Sequence, residues 1–284
     1  MDRNPGENAS ELKALHITLN PNGVAAPAQR AVVIASQVVG ICLRGLANDD
    51  LSPPEMQGGF IGYKFDSLEM SNEERRETYQ NWILSKGFQD LARGVRETLE
   101  EAVFYLAIVK RQPGMTTWAA IEAEMAEVRA NAAKPQFPKL LEEVNAGLTE
   151  PMAFDAEFLS LQKVRNCLEH RGGVVGARDV DAATGTMTLS FPRLRMFYRR
   201  GDEEIELAPG EVIDTHSPAN PFGKGEDVPL YMNRVTRSRE YALGEPVVIA
   251  ASDFCEIAMA CQLFASDVAA KLPTLPAIVE SPAS

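Results

Sequence analysis

The sequence predicts a mainly α-helical bundle with a small antiparallel β meander inserted before the last helix. Apolar residues recur at three- and four-residue steps along several stretches, most regularly at Phe88, Leu91, Val95, Leu99, Ala102 and Leu106, which puts them on one helical face. Strand-formers instead gather between Thr186 and Leu207, punctuated by Pro192 and Gly201. After them Pro246–Leu272, with Ile249, Phe254, Ile257, Ala258, Cys261, Phe264 and Val268, reads as a final long helix.

Taken in order, residues 1–23 are rich in Asn, Pro and Gly and read as a flexible leader. A helix follows from Ala25 to about Ala47. Asn48–Leu68 holds Pro53, Pro54, Gly58, Gly59 and Gly62 and reads as a loop with room for a short strand. A long helix runs from Asn72 to about Arg111 and is stopped by Gln112-Pro113-Gly114; further helices cover Thr116 to about Ala130 and Pro138–Asn145. Asp155 is a suitable N-cap for a helix reaching His170, ended by Gly172-Gly173. The expected strands are Thr186–Ser190, Arg193–Arg199 and Glu203–Leu207, a β appendage at about 183–208, then a long loop at about 209–231. The expectation is a single domain over 24–272 with a disordered tail from Pro273 to Ser284.

Composition narrows the functional classes. With 45% hydrophobic residues among 284, the chain can bury a sizeable core. Forty acidic against 28 basic residues leave a net charge of −12, which repels nucleic acid unless basic residues are concentrated locally. Cys42, Cys167, Cys255 and Cys261 form no C-x-x-C pair and sit in apolar helical stretches, so buried free thiols are expected. His16, His170 and His216 have no ligand spacing to a cysteine, and neither metal nor cofactor is expected. The N-terminus lacks the apolar core of a signal peptide. Val24–Leu46 is interrupted by Gln29, Arg30, Gln37 and Arg44, and Val247–Leu272 by Asp253, Glu256, Gln262 and Asp267, so both read as amphipathic or buried helices. The expectation is a cytoplasmic protein outside the membrane. No Walker loop, G-x-G-x-x-G or G-x-S-x-G is present, which argues against nucleotide-binding enzymes and serine hydrolases.

One stretch carries candidate chemistry. On a wheel of roughly 100° per residue, Phe154, Phe158, Leu161 and Leu168 form one stripe with Arg165 in its middle. An unpaired buried arginine loses several kcal/mol of hydration, so Arg165 must meet a carboxylate, a subunit partner or an anionic ligand. Glu169, four residues on, is the simplest structural partner; Glu100 and Glu101 are others. Asn166 and His170, four apart, share a face, and the macrodipole at the helix end favours a protonated imidazole. A lone histidine there is more often a cap than a catalyst. With Arg165 and Asn166 it makes a fixed cation, an amide and a titratable base.

Arg165-Asn166-x-x-x-His170, continued as His-Arg-Gly-Gly-Val-Val, resembles the signature of the HEPN superfamily over about Phe154–Val175. The resemblance implies a helical bundle, usually dimeric, and a metal-independent endoribonuclease of toxin, defence or RNA-processing type, with an antitoxin or other protein as a further partner. His170 would take the 2′-OH proton, Arg165 would stabilise the transition state, and Asn166 would orient phosphate or imidazole. By resemblance the products are a 2′,3′-cyclic phosphate and a 5′-hydroxyl.

Arg165 and His170 diverge by roughly 140° on a straight helix, so a homodimer through the Phe154–His170 face, or a turn at His170, is expected to bring them to one phosphate. Between Leu161 and Arg200 eight basic residues face three acidic ones. Lys163, Arg171, Arg193 and Arg195 are candidate RNA contacts, with Tyr198 beside Phe197 for base stacking; the plainer reading is that strand arginines solubilise a β face. Two alternatives stay open: a catalytically silent HEPN-like RNA- or protein-binding module, and a helical interaction protein in which Arg165 is a buried ion-pair member.

Overall fold

The computed structural model of the chain describes residues 19–48, 51, 56–58, 61–63, 69–111, 117–208, 210–218, 220 and 222–274. In chain order the elements are α1 (Pro21–Val24), α2 (Ala26–Leu46), β1 (Met56–Gly58), β2 (Ile61–Tyr63), α3 (Asn72–Lys110), α4 (Trp118–Ala132), α5 (Phe137–Asn145), α6 (Asp155–His170), β3 (Thr186–Arg200), β4 (Glu203–Glu206), β5 (Tyr231–Ala242) and α7 (Ala251–Ala270). The chain is thus mainly helical with a three-stranded antiparallel sheet ordered β4-β3-β5, and β1 pairs with β2 in a separate hairpin. Most of the leader (1–18), the Gln112-Pro113-Gly114 stop and the tail from residue 275 lie outside the described residues.

The spine is α3. It starts on a capping box in which Ser71 and Glu74 exchange side-chain-to-backbone hydrogen bonds. Phe88, Leu91, Val95, Leu99, Ala102 and Leu106 are all buried, as their spacing predicts. Against α3 lies α2, and two glycines set how closely. A Cβ on Gly94 would stand 2.6 Å from Ala31 Cβ and 3.1 Å from Ala28 Cα; one on Gly87 would stand 2.7 Å from Val39 Cγ2. Both ends of α2 are satisfied by α3 side chains. Thr98 Oγ1 accepts the Ala28 N–H (3.1 Å) and Arg76 Nε donates to the Leu46 carbonyl (3.0 Å). By length and composition alone, α2 is the one helix among the described residues that could cross a membrane. The core helix of a soluble protein passes the same test, but here only 17% of the stretch is buried. The expectation of an amphipathic or buried helix therefore holds for its inner face alone.

The sheet differs from the expected meander. Thr186–Ser190 and Arg193–Arg199 fuse into one strand through Pro192, and the third strand, β5, comes from beyond the long loop. Pro192 is tolerated because β4 pairs only with Phe197–Arg200, so at Pro192 the strand has a neighbour on one side only, β5. Two residues earlier, on that open side, Ser160 Oγ of α6 accepts the Ser190 N–H (2.8 Å) and lies 2.8 Å from the Ser190 carbonyl. Nor is the sheet an appendage. Met187, Leu189 and Phe191 are fully buried in the same core as α3, α6 and α7, where Phe158 and Phe264 pack with ring centroids 4.2 Å apart.

Two helix boundaries also differ. Asp155 is the first helical residue rather than the cap, and Phe154 holds the preceding position at φ 62°. The last helix starts at Ala251, because Pro246 bridges Val174 and the Val247 N–H donates to the Gly173 carbonyl, holding that segment extended. Of the cysteines, Cys167 and Cys261 are buried, and burial pushes the Cys261 thiol up to about 12. Cys42 is half-buried and Cys255 is exposed, against the expectation of four buried thiols.

A buried carboxylate ties sheet to helix. Asp253 on α7 receives Arg239 Nε (2.7 Å) and Nη2 (2.9 Å) and Arg237 Nη1 (3.3 Å) from β5. Burial pushes its pKa up, but the bonds to Arg239 and then Arg237 outweigh that and leave it below the usual carboxylate value. A depressed folded-state pKa contributes stability that is complete above the unfolded value and lost as pH falls through the folded one. The melting temperature is therefore expected to fall on acidification below about pH 4, and Asp253→Asn should be less stable at neutral pH with a flatter acid limb. Gly94→Val, which drives a side chain into the α2 backbone, is expected to cost about 2–3 kcal/mol in denaturant unfolding.

Candidate functional site

The end of α6 is built by its burial pattern and by the loop that leaves it. Phe158, Leu161, Gln162, Val164 and Cys167 are the buried positions of α6. Of the stripe expected to hold Arg165, Phe158 and Leu161 are buried and Phe154 and Leu168 pack partly buried against the same core. Arg165 lies on that stripe with its side chain 24% exposed. Past His170, Gly172 and Gly173 take φ of 65° and 77°, and the Gly173 N–H returns to the Cys167 carbonyl (3.2 Å). Arg171 then donates through Nε (2.7 Å) and Nη2 to Asp179, which is 1% exposed and also accepts the Gly176 N–H (2.9 Å). Arg171, a candidate RNA contact, instead locks the loop that follows the site.

Arg165 Nη2 pairs with Glu169 Oε2, and Nη1 donates to Asn166 Oδ1 (3.2 Å). The other expected carboxylates are taken elsewhere, Glu100 by Arg96 and Glu101 by Arg129. His170 is 60% exposed, and its Nε2 lies 3.7 Å from the same Glu169 Oε2. Arg165 and His170 thus approach a single oxygen from one helix, their long side chains closing the angle by which their Cα positions diverge. Both side chains come within ion-pair distance of the Glu169 carboxylate, and Glu169 joins the site. Its position was visible in the sequence, but only as an ion-pair partner.

Lys163, Arg165 and Asn166 line one wall of a groove of about 690 Å³, opposite Arg96, Gln136, Phe137 and Pro138. Arg96 is committed to Glu100 and to the Ala133 and Pro135 carbonyls (3.0 Å each). Lys163 has no ion pair among the described residues and is the open cation of the groove. His170 lies outside this lining.

The strand residues are not brought to the site. Arg193 pairs with Glu206 (2.6 Å), Arg195 with Glu204 (2.8 Å) and Glu206 (3.2 Å), and Arg199 with Glu204 (3.1 Å). Hydrogen bonds from Arg195 and Arg193 hold Glu204 and Glu206, respectively, below the usual carboxylate range. The basic excess between Leu161 and Arg200 ends four residues before Glu204, the first of the two acids that neutralise it. Tyr198 is buried edge-on to Phe222, and Phe197 is buried in a stack with Tyr231 at 5.5 Å, so neither ring is open to a base. The apolar half of the expected dimer face is also used internally, since Phe158 and Leu161 belong to the chain's own core; Asn166, Glu169 and His170 stay exposed.

Comparison with protein-family models, with curated proteins and with solved structures returned no match. Two variants should separate structural from exposed arginines in thermal and denaturant melts. Arg171→Ala strands the buried Asp179 and is expected to lose about 3 kcal/mol. Arg165→Ala removes a half-exposed i,i+4 pair and should lose less than about 1 kcal/mol.

Proposed function

We propose that the end of α6 is an HEPN-like, metal-independent RNA-cleaving site in which Arg165, Asn166 and His170 act on a phosphodiester. The observation that carries this reading is the shared oxygen. Glu169 Oε2 stands between a guanidinium and an imidazole, in the place an anionic phosphate oxygen would take. Entering phosphate displaces the carboxylate from Arg165 at small cost, because a partly exposed pair of this spacing contributes only about 0.3–0.5 kcal/mol. Arg165 then stabilises charge on the non-bridging oxygens and Asn166 orients it. His170 takes the proton from the ribose 2′-OH, whose oxygen attacks phosphorus as the bond to O5′ breaks. A 2′,3′-cyclic phosphate forms, and the departing O5′ takes a proton from water to become a 5′-hydroxyl. Glu169, released by Arg165, remains beside the imidazolium. Lys163 offers a second phosphate contact in the groove. The reading places the protein in a reducing cytoplasm, in keeping with four cysteines outside any disulfide.

A second reading is favoured by the neutralised strand arginines and the buried Phe197 and Tyr198: an HEPN-like module that holds a protein partner, such as an antitoxin, and does not cleave. Cleavage of a mixed-sequence RNA in EDTA distinguishes the two. His170→Ala and Arg165→Ala should each abolish cleavage while leaving the melt nearly unchanged, and Glu169→Gln, which loosens the resident anion, should strengthen RNA binding. Equal cleavage by parent and His170→Ala would remove the nuclease reading.

A further inference from the structure

We propose that α2 is the contact face of a homodimer in which two copies lie side by side with their α2 helices parallel, joined through Ile34, Val38 and Ile41. The inference is independent of the RNA reading and starts from an inversion in how α2 uses its residues. Its buried positions are Ala28, Ala35 and Val39, whereas Val33, Ile34, Val38 and Ile41 are 47–60% exposed. A monomer gains by turning its large aliphatic residues inward and its alanines out. Here the glycine seam of α3 accepts only the small face, and the large one is left in water. Ile34, Val38 and Ile41 follow one another at steps of four and three, so they form one row.

The charges beside the row select the partner and its direction. Arg30, Ile34, Asp90, Arg93, Glu97 and Glu101 line a groove of about 680 Å³ on the α3 side of α2. Arg30 and Arg44 have no ion pair among the described residues. On the wheel Arg30 stands on the far rim of that groove, across the row from α3. A two-fold axis parallel to α2 carries that rim over the partner's groove, so each Arg30 reaches the partner's acidic cluster, in which Arg93 pairs with Asp90 (3.0 Å) and Glu97 (3.8 Å) and one negative charge is left over. An antiparallel pairing would instead set Arg30 beside the partner's Arg44 at both ends. The same acids, and a net charge of −12, oppose an anionic lipid surface as the occupant. A face about 30 Å long and two helices wide covers on the order of 600 Å² per copy, at the lower end of specific interfaces.

Sedimentation equilibrium of the full chain at micromolar concentration tests the proposal. The expected result is a dimer that becomes a monomer in Ile34→Glu/Ile41→Glu with an unchanged melt, since both side chains point outward. Arg30→Glu should weaken association roughly tenfold, one contact being lost on each side of the axis, and adding Glu97→Arg should restore it. A monomeric parent would overturn the proposal, and if that monomer floats with phosphatidylcholine–phosphatidylserine vesicles, the row is a membrane contact instead. A dimer that survives the double glutamate variant would likewise overturn it, and failure of Glu97→Arg to rescue would overturn the parallel arrangement.

Discussion

The close approach of α2 to α3 is the constraint on which the rest of the molecule depends. Gly87 and Gly94 leave no room for even a methyl group between the helices, so α2 presents Ala28 and Ala31 at Gly94 and Val39 at Gly87, and its isoleucines turn away. Thr98 and Arg76 hold both ends of α2 in that register, so the helix cannot rotate to hide its isoleucines without leaving polar backbone groups unsatisfied. The opposite faces of α3 are then free for α5, α6 and α7, and the sheet closes the core through β3. Interior fit on one side of a helix has decided what its other side exposes.

The end of α6 is organised by a different balance. Its backbone geometry is fixed by groups that do not touch the candidate site: the glycine turn, the Arg171–Asp179 pair and the strand-like contacts of Val174 and Val175 with the segment after β5. Its charged side chains are by contrast half in water and weakly held. A rigid frame carrying loosely paired groups is what an anion exchange needs, since Arg165 can change partners without the helix end moving.

Much of this was legible in the residues themselves. The apolar spacing of α3, the extent of α6, the glycine stop after it and the isolation of the cysteines from disulfides all follow from local chemistry, and local chemistry is what a single sequence displays. Several other features depended on distant partners. Arg193 and Arg195 read as free cations until Glu204 and Glu206 folded back beside them. Tyr198 reads as a stacking ring until Phe222 covers it, and β5 escaped notice because most of its residues are exposed and polar, leaving little apolar alternation to see. The outward row of α2 was hidden for the same reason: an apolar helix looks alike whether its neighbours lie on one side or all around. At the site, the spacing of Arg165 and His170 was plain, but their convergence on one oxygen lies in side-chain length, which a helical wheel ignores.

The two arrangements along the open side of β3 bear on how this chain behaves at high concentration. A bare strand edge offers its unpaired amides and carbonyls to any other extended chain and so seeds fibrous self-association. Here Ser160 occupies the backbone groups of Ser190, and Pro192, next on that side, has no amide to offer. The outer strand β5 carries Arg234, Arg237, Arg239 and Glu240 along its length, charges that a stacked copy would have to bury. With Glu203, Glu204 and Glu206 on the β4 edge as well, charged or already bonded groups line both margins of the sheet, which disfavours β-polymerisation even though α2 leaves an apolar row exposed.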